Sequence, residues 1–154
     1  NKMKLNKYFD MREFIPKSEY DKIMRLREDD RLNAFHKLVN PKIVAIAVYL
    51  RELFGKPMII NNWHTRGNYT MRGWRPANTK IGAKKSMHKK GMAFDFDIKG
   101  LTDSQVKEVI IKHEKELYAI GVRRMESEED SATWTHLDIK DVKGYTNKIY
   151  QFRQ

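Results

Sequence analysis

The chain carries its most evident chemistry in Ser86-Met87-His88-Lys89-Lys90-Gly91-Met92-Ala93-Phe94-Asp95-Phe96-Asp97, where a histidine stands seven residues before an aspartate. From Phe94 to Ile98, apolar and acidic residues alternate, the pattern of a half-buried strand. Phe94, Phe96 and Ile98 would face a core, and Asp95 and Asp97 the opposite side. A second segment, Thr133-Trp134-Thr135-His136-Leu137-Asp138-Ile139, is rich in β-formers and puts Trp134, His136 and Asp138 on one face. Two strands thus offer His88, Asp95 and His136 to one site. Two imidazoles and one carboxylate suit a zinc ion whose fourth position stays open to water.

The other histidines are less suited. His113 falls on the apolar face of its helix and reads as a packing residue. His36 sits in a mixed helical stretch without an acidic partner at useful spacing, and His64 adjoins Trp63 in a loop that could line a cleft. The spacing of His88 and Asp95 is not the helical His-Glu-x-x-His pattern.

These residues need elements to hold them. Asn40-Pro41 is a helix start, a capping residue followed by proline at the first helical position. The helix runs through Ile43, Val44, Ile46, Ala47, Val48, Leu50 and Leu53 to Gly55. It is apolar almost all round and is expected to be buried centrally. Met58 to Asn61 follows as a short strand. Residues 61–87, with Gly67, Gly73, Pro76 and Gly82, form a long irregular loop of the functional kind. Thr102-Asp103-Ser104-Gln105 is a capping box that opens a helix with Val106, Val109, Ile110, Leu117 and Ile120 on its apolar face. Gly121 ends it, Val122 to Met125 reads as a strand, and an acidic turn from Glu126 to Asp130 leads to the histidine strand. Residues 1–30 are expected as short helices wrapped on the main body, and the tail to Gln154 fits a strand or a helix equally. The pattern is α+β, a small antiparallel sheet with helices on one face, in one domain over residues 1–154.

Composition narrows the classes. With 154 residues and 40% hydrophobic content the chain can build a core, and no apolar run approaches the ~20 residues of a membrane span. The absence of cysteine removes disulfides, thiolate zinc sites and thiol nucleophiles. Asn1 to Phe14 lacks the apolar region of a secretory signal, while a start at Asn leaves a processed precursor, and hence export, open. A net charge of +11 and a pI near 9.8 imply attraction to polyanions such as nucleic acid, anionic membranes or cell-wall polymers, or simply solubility.

Ser-x-His-x-x-Gly-x-Ala-x-Asp, here Ser86, His88, Gly91, Ala93 and Asp95, resembles the signature of the M15-type zinc peptidases, the D-alanyl-D-alanine dipeptidases and carboxypeptidases. Their fold includes phage L-alanyl-D-glutamate endolysins and the Hedgehog signalling domain. The family's later histidine is matched by His136, and its Ser-Gly-aromatic-Arg loop by Arg72-Gly73-Trp74-Arg75. Asn61-Asn62-Trp63 looks most like the phage-borne members, and the resemblance spans about residues 40–140. It implies a Hedgehog- and DD-peptidase-like fold, a Zn2+ cofactor on His88, Asp95 and His136, and peptide stems of bacterial peptidoglycan as substrate. The setting would be phage lysis, with a cytoplasmic protein until then, or wall remodelling.

One departure stands out. Many of these peptidases carry a catalytic carboxylate three residues before the second zinc histidine, and Thr133 occupies that position. The base is then Glu126, resembling a Glu-Ser pair in the Hedgehog domain, with Asp130 and Asp138 as alternatives, or the site binds metal without cleaving. Arg75 is expected to hold a substrate carboxylate or carbonyl. Ser86, Trp63, Trp74 and Trp134 are the expected substrate contacts. Lys80, Lys84, Lys85, Lys89 and Lys90 would steer anionic substrate or form a solvated face. A monomer is expected. Two rivals follow from the same residues: a non-catalytic zinc module that holds a wall or a partner, and a basic single-strand nucleic-acid binder using Trp63, Tyr69 and Trp74 with Arg66, Arg72 and Arg75.

Overall fold

The computed structural model describes residues 3–80, 86–127 and 133–153; Lys84, Lys85 and Asp130 lie outside them. The N-terminal segment closes on itself through a bridge between Lys4 and Asp10 and a 3-10 turn, Met11–Glu13, and sends Phe9, Phe14 and Ile15 into the core. Helices α1 (Lys17–Met24) and α2 (Glu28–Leu38) follow, the second running well past residue 30.

Helix α3 (Pro41–Phe54) starts where the sequence places it: the Asn40 side chain accepts from the Lys42 N–H, and Gly55 ends the helix in the left-handed region at φ 62°. Its burial differs from the expectation. Ile43, Ile46, Ala47 and Leu50 are buried, while Lys42 and Ala45 are exposed. The buried residues recur at the spacing of a single helical stripe, because α3 packs on the sheet along one side only. The second expected helix is broken into α4 (Asp103–Lys112) and α5 (Glu114–Ala119). At the junction, the His113 N–H is shared between the Ile110 and Val109 carbonyls, and its Nδ1 lies 2.9 Å from the Val109 oxygen, which ends the helical ladder.

Among the described residues, five strands form one sheet: β1 (Met58–Ile59), β2 (Ala93–Ile98), β3 (Arg124–Glu126), β4 (Thr135–Asp138) and β5 (Tyr150–Phe152), in the order β1-β2-β4-β3-β5. The fold is α+β, as the sequence implies. The sheet is mixed rather than wholly antiparallel, since β5, the undecided tail, lies parallel to β3. The reason is geometric. β4 ends beside Arg124, and the chain then crosses to the far edge of β3 at the same end, so β5 must run in the direction of β3. Among the described residues, no helix is long and apolar enough to cross a membrane.

The register sorts side chains by face. Phe94 pairs with Leu137, Leu137 with Met125, and Met125 with Gln151. The first three of these are buried in the hydrophobic cluster that also holds Val106 and Ile110 of α4 and Ile43 and Ile46 of α3. One residue along, the other face carries Asp95 beside His136, and Glu126 beside Phe152. Continuing the β3–β4 register brings Glu126 next to His136. The sheet thus presents the row Asp95, His136, Glu126, Phe152 away from the helices.

Candidate metal centre

Each member of the cluster is placed by a different element. His88 sits in a 3-10 turn, Met87–Lys90, which Ser86 caps by accepting the His88 N–H at 3.2 Å. Gly91 closes that turn at φ 67°. Its backbone lies so close to the Leu38 carbonyl that a Cβ would collide with it, so only glycine fits on both counts. Gly73, in the long loop, is required for space alone, since a Cβ there would strike the Phe14 carbonyl. That contact lets the Trp74 N–H reach the Phe14 oxygen at 2.8 Å and aims the Gly73 carbonyl at His88 Nδ1, also at 2.8 Å. The loop is further tied to β2, with the Asp95 N–H donating to the Arg72 carbonyl at 2.7 Å. Asp95 and His136 come from β2 and β4 as a cross-strand pair.

The donor atoms converge. Asp95 Oδ1 is 3.1 Å from His88 Nε2 and 2.8 Å from His136 Nδ1, and those two nitrogens are 3.1 Å apart. All three side chains are buried. Tautomers follow from the partners behind. The Gly73 carbonyl only accepts, so His88 Nδ1 carries a proton and Nε2 offers a lone pair. Asp138 Oδ2 lies 3.0 Å from His136 Nε2, so that nitrogen donates and Nδ1 faces the cluster. Arg75 Nη2 holds Asp95 Oδ2 at 3.2 Å, leaving Oδ1 to the cluster.

A tetrahedral zinc with bonds of about 2.0–2.1 Å spaces its donors at roughly 3.3 Å. The observed separations are close to that, and the donor set fits such an ion. The titration behaviour agrees. Burial would push His136 down, but hydrogen bonds to Asp138 and Asp95 raise it to about 9. Without an ion, a protonated His136 would balance the charges of Asp95 and Asp138. Burial lowers His88, in keeping with a neutral ring. For Asp95, burial opposes ionisation, yet His88 and His136 hold its carboxyl below the usual range.

The expected site residues separate into two groups. Arg75 is buried beside Asp95, with its Nε donating to the Met71 carbonyl at 2.7 Å. Burial lowers its pKa, while the charges of Asp95 and Glu126 raise it. Glu126 is 3% exposed, a buried carboxylate on the sheet face and not a solvated turn residue. Trp134 is half-buried just before β4. Ser86 acts as a cap, Trp74 packs on the core, and Trp63 donates its ring N–H to the Ile15 carbonyl at 2.9 Å while its ring meets Tyr20 and His64. The contacts of Trp63 run to the N-terminal segment. Thr133 is exposed.

Sequence reasoning missed the surrounding pairings. Arg72 grips Asp97 at 2.7 Å and lies over Tyr69, and Arg124 grips Asp138 at 2.7 Å. The signal for Asp138 was available: two residues after a strand histidine, it must share that histidine's face. Its partner Arg124 could be found only by knowing the register.

Fold and site together define an α+β protein with a buried His–Asp–His group that can hold a metal ion. Comparison with known proteins returned no match to a family model, a curated protein or a solved structure.

Proposed function

We propose that the protein is a zinc-dependent peptidase of M15 type that cleaves the peptide stems of bacterial peptidoglycan. The observation that carries this reading is the convergence of His88 Nε2, Asp95 Oδ1 and His136 Nδ1, with buried Glu126 and Arg75 on the same side. His88, Asp95 and His136 would hold the zinc, which would supply a Lewis acid for a peptide carbonyl and make water acidic enough to lose a proton near pH ~7. Glu126 is the general base in this reading, taking a proton from water and passing it to the departing amine. Its place beside His136 in the sheet row gives it the proximity that Thr133 cannot offer, and Asp138 is engaged behind His136 by Arg124. Arg75 keeps Asp95 oriented, and adds a fixed positive charge toward a developing oxyanion.

The nucleic-acid reading needs arginines free to meet phosphates. Arg72 and Arg75 are instead turned inward to Asp97 and Asp95, which favours the peptidase. A muropeptide digest read by mass spectrometry is the test. Zinc-loaded protein should release fragments cut within the peptide stem, a chelator should stop the cleavage, and added zinc should restore it. A protein that binds zinc at the cluster yet leaves all stems intact would be a non-catalytic module of the same fold.

A further inference from the structure

We infer that Asp138, gripped by an Arg124 that lies over Phe152 of the C-terminal strand, is the positioning residue that makes His136 a ligand through Nδ1. The inference rests on the metal reading of the cluster. A histidine offers either ring nitrogen, and the group behind the ring decides which. Here the Asp138 carboxylate, with a fully buried side chain, lies 3.0 Å from His136 Nε2. A carboxylate only accepts, so Nε2 must donate and Nδ1 is left for the metal.

Asp138 is itself fixed. Arg124 Nε is 2.9 Å from Oδ1 and Nη2 is 2.7 Å from Oδ2, a two-pronged contact, and the Lys140 N–H adds 3.2 Å to Oδ1. The Arg124 guanidinium lies 4.0 Å from the Phe152 ring centroid, and the same ring meets the His136 ring edge-on at 5.6 Å. Phe152 reaches that place because β5 is parallel to β3 and pairs it with Glu126. The last strand, which the sequence leaves undecided, therefore completes the support of the metal ligand. Partners of this kind are worth about 10–100-fold in metal affinity.

The test uses the full chain. Zinc dissociation constants would be measured by competition with a chromophoric chelator, beside the visible spectrum of the Co2+-substituted protein and the thermal midpoint of the metal-free form. Asp138→Asn should bind zinc about 10–100-fold more weakly and shift the Co2+ bands. Arg124→Met, which keeps a long side chain without the fork, should weaken zinc about 10-fold. It also decides the question if Asp138→Asn does not fold. Asp141→Asn, in the ion pair of Arg123 with an exposed aspartate, should leave affinity and spectrum unchanged. Wild-type affinity and spectrum in Asp138→Asn, or in Arg124→Met where the former is unfolded, would overturn the inference while the metal reading stands. A wild-type protein that takes up no zinc, or a His88→Ala protein that retains it, would overturn the metal reading itself.

Discussion

Two clusters of charged side chains are drawn into this molecule, and they are built differently. At the N-terminal hook, both Asp10 oxygens face Arg12, at 2.9 Å from Nε and from Nη2, while Glu13 accepts the Asp10 N–H at 2.8 Å. These hydrogen bonds all join residues within three positions of each other, and the acceptors are met by donors on the spot. On the sheet, His88 and His136 meet across 48 residues of sequence, and their acceptor atoms point at a shared space with Asp95. The hook uses charge to close a turn, a capping box that satisfies backbone donors. The sheet cluster directs lone pairs at one another, which is stable only with a cation, or a proton, between them. Burial of charge does not by itself mark a site; convergence of acceptors from distant elements does.

The contrast breaks most readily at the metal. His88→Ala and His136→Ala should each lose stoichiometric zinc after dialysis, as read by elemental analysis. Asp10→Ala should keep zinc in full and show only the roughly 1 kcal/mol loss of stability typical of a removed cap. Zinc retained in both histidine variants would remove the distinction between the clusters.

Rate sharpens it next. Glu126→Gln should bind zinc normally and fold, yet lose about two to four orders of magnitude in stem-peptide cleavage, the usual worth of a general base. Glu13→Gln, the same chemical change at the hook, should leave the rate alone. Full activity in Glu126→Gln would place the base elsewhere.

How far the sequence discloses this molecule follows from what each feature depends on. Local signals hold: Asn40 and Gly55 bound α3, Thr102 and Gln105 cap α4, and alternation along Phe94–Ile98 sends Asp95 away from the core. His88, Asp95 and His136 were legible because strand periodicity fixes a face and metal chemistry limits the donor types. Features set by register were not legible. The parallel docking of β5, the place of Phe152 beneath Arg124, and the fork from Arg124 to Asp138 depend on strand order and a crossover. The break at His113 depends on a side chain competing for a carbonyl, which periodicity ignores. Glu126, expected as the base yet also as the first residue of an acidic turn, is the last residue of β3 and buried, because β3 runs one residue further than the apolar pattern does.

The smallest expected effect tests whether the hook is structural in the way its local pairing implies. Glu13 is half-buried, and burial, reinforced by the nearby Asp10 charge, raises its pKa to about 7 from 4.5, against the hydrogen bond from the Asp10 N–H. Below about pH 4.5 the group is protonated in both folded and unfolded chains. Between about 4.5 and 7 the unfolded chain releases a proton that the folded chain keeps, so stability falls as pH rises through that window. Above 7 the loss is complete and level. Glu13→Gln keeps an acceptor for the Asp10 N–H and removes the titration. Between pH 5 and 8 its thermal midpoint should therefore fall less than that of the wild type, by about 2–4 °C per kcal/mol recovered for a chain of this size. His136 loses stability in the same direction, between about 6.5 and 9 in the metal-free protein, but it is common to both proteins and cancels in the difference. Measured by thermal unfolding in matched buffers, parallel curves for the two proteins would mean that Glu13 stays solvated, and that the hook is closed by the Asp10–Arg12 pair alone.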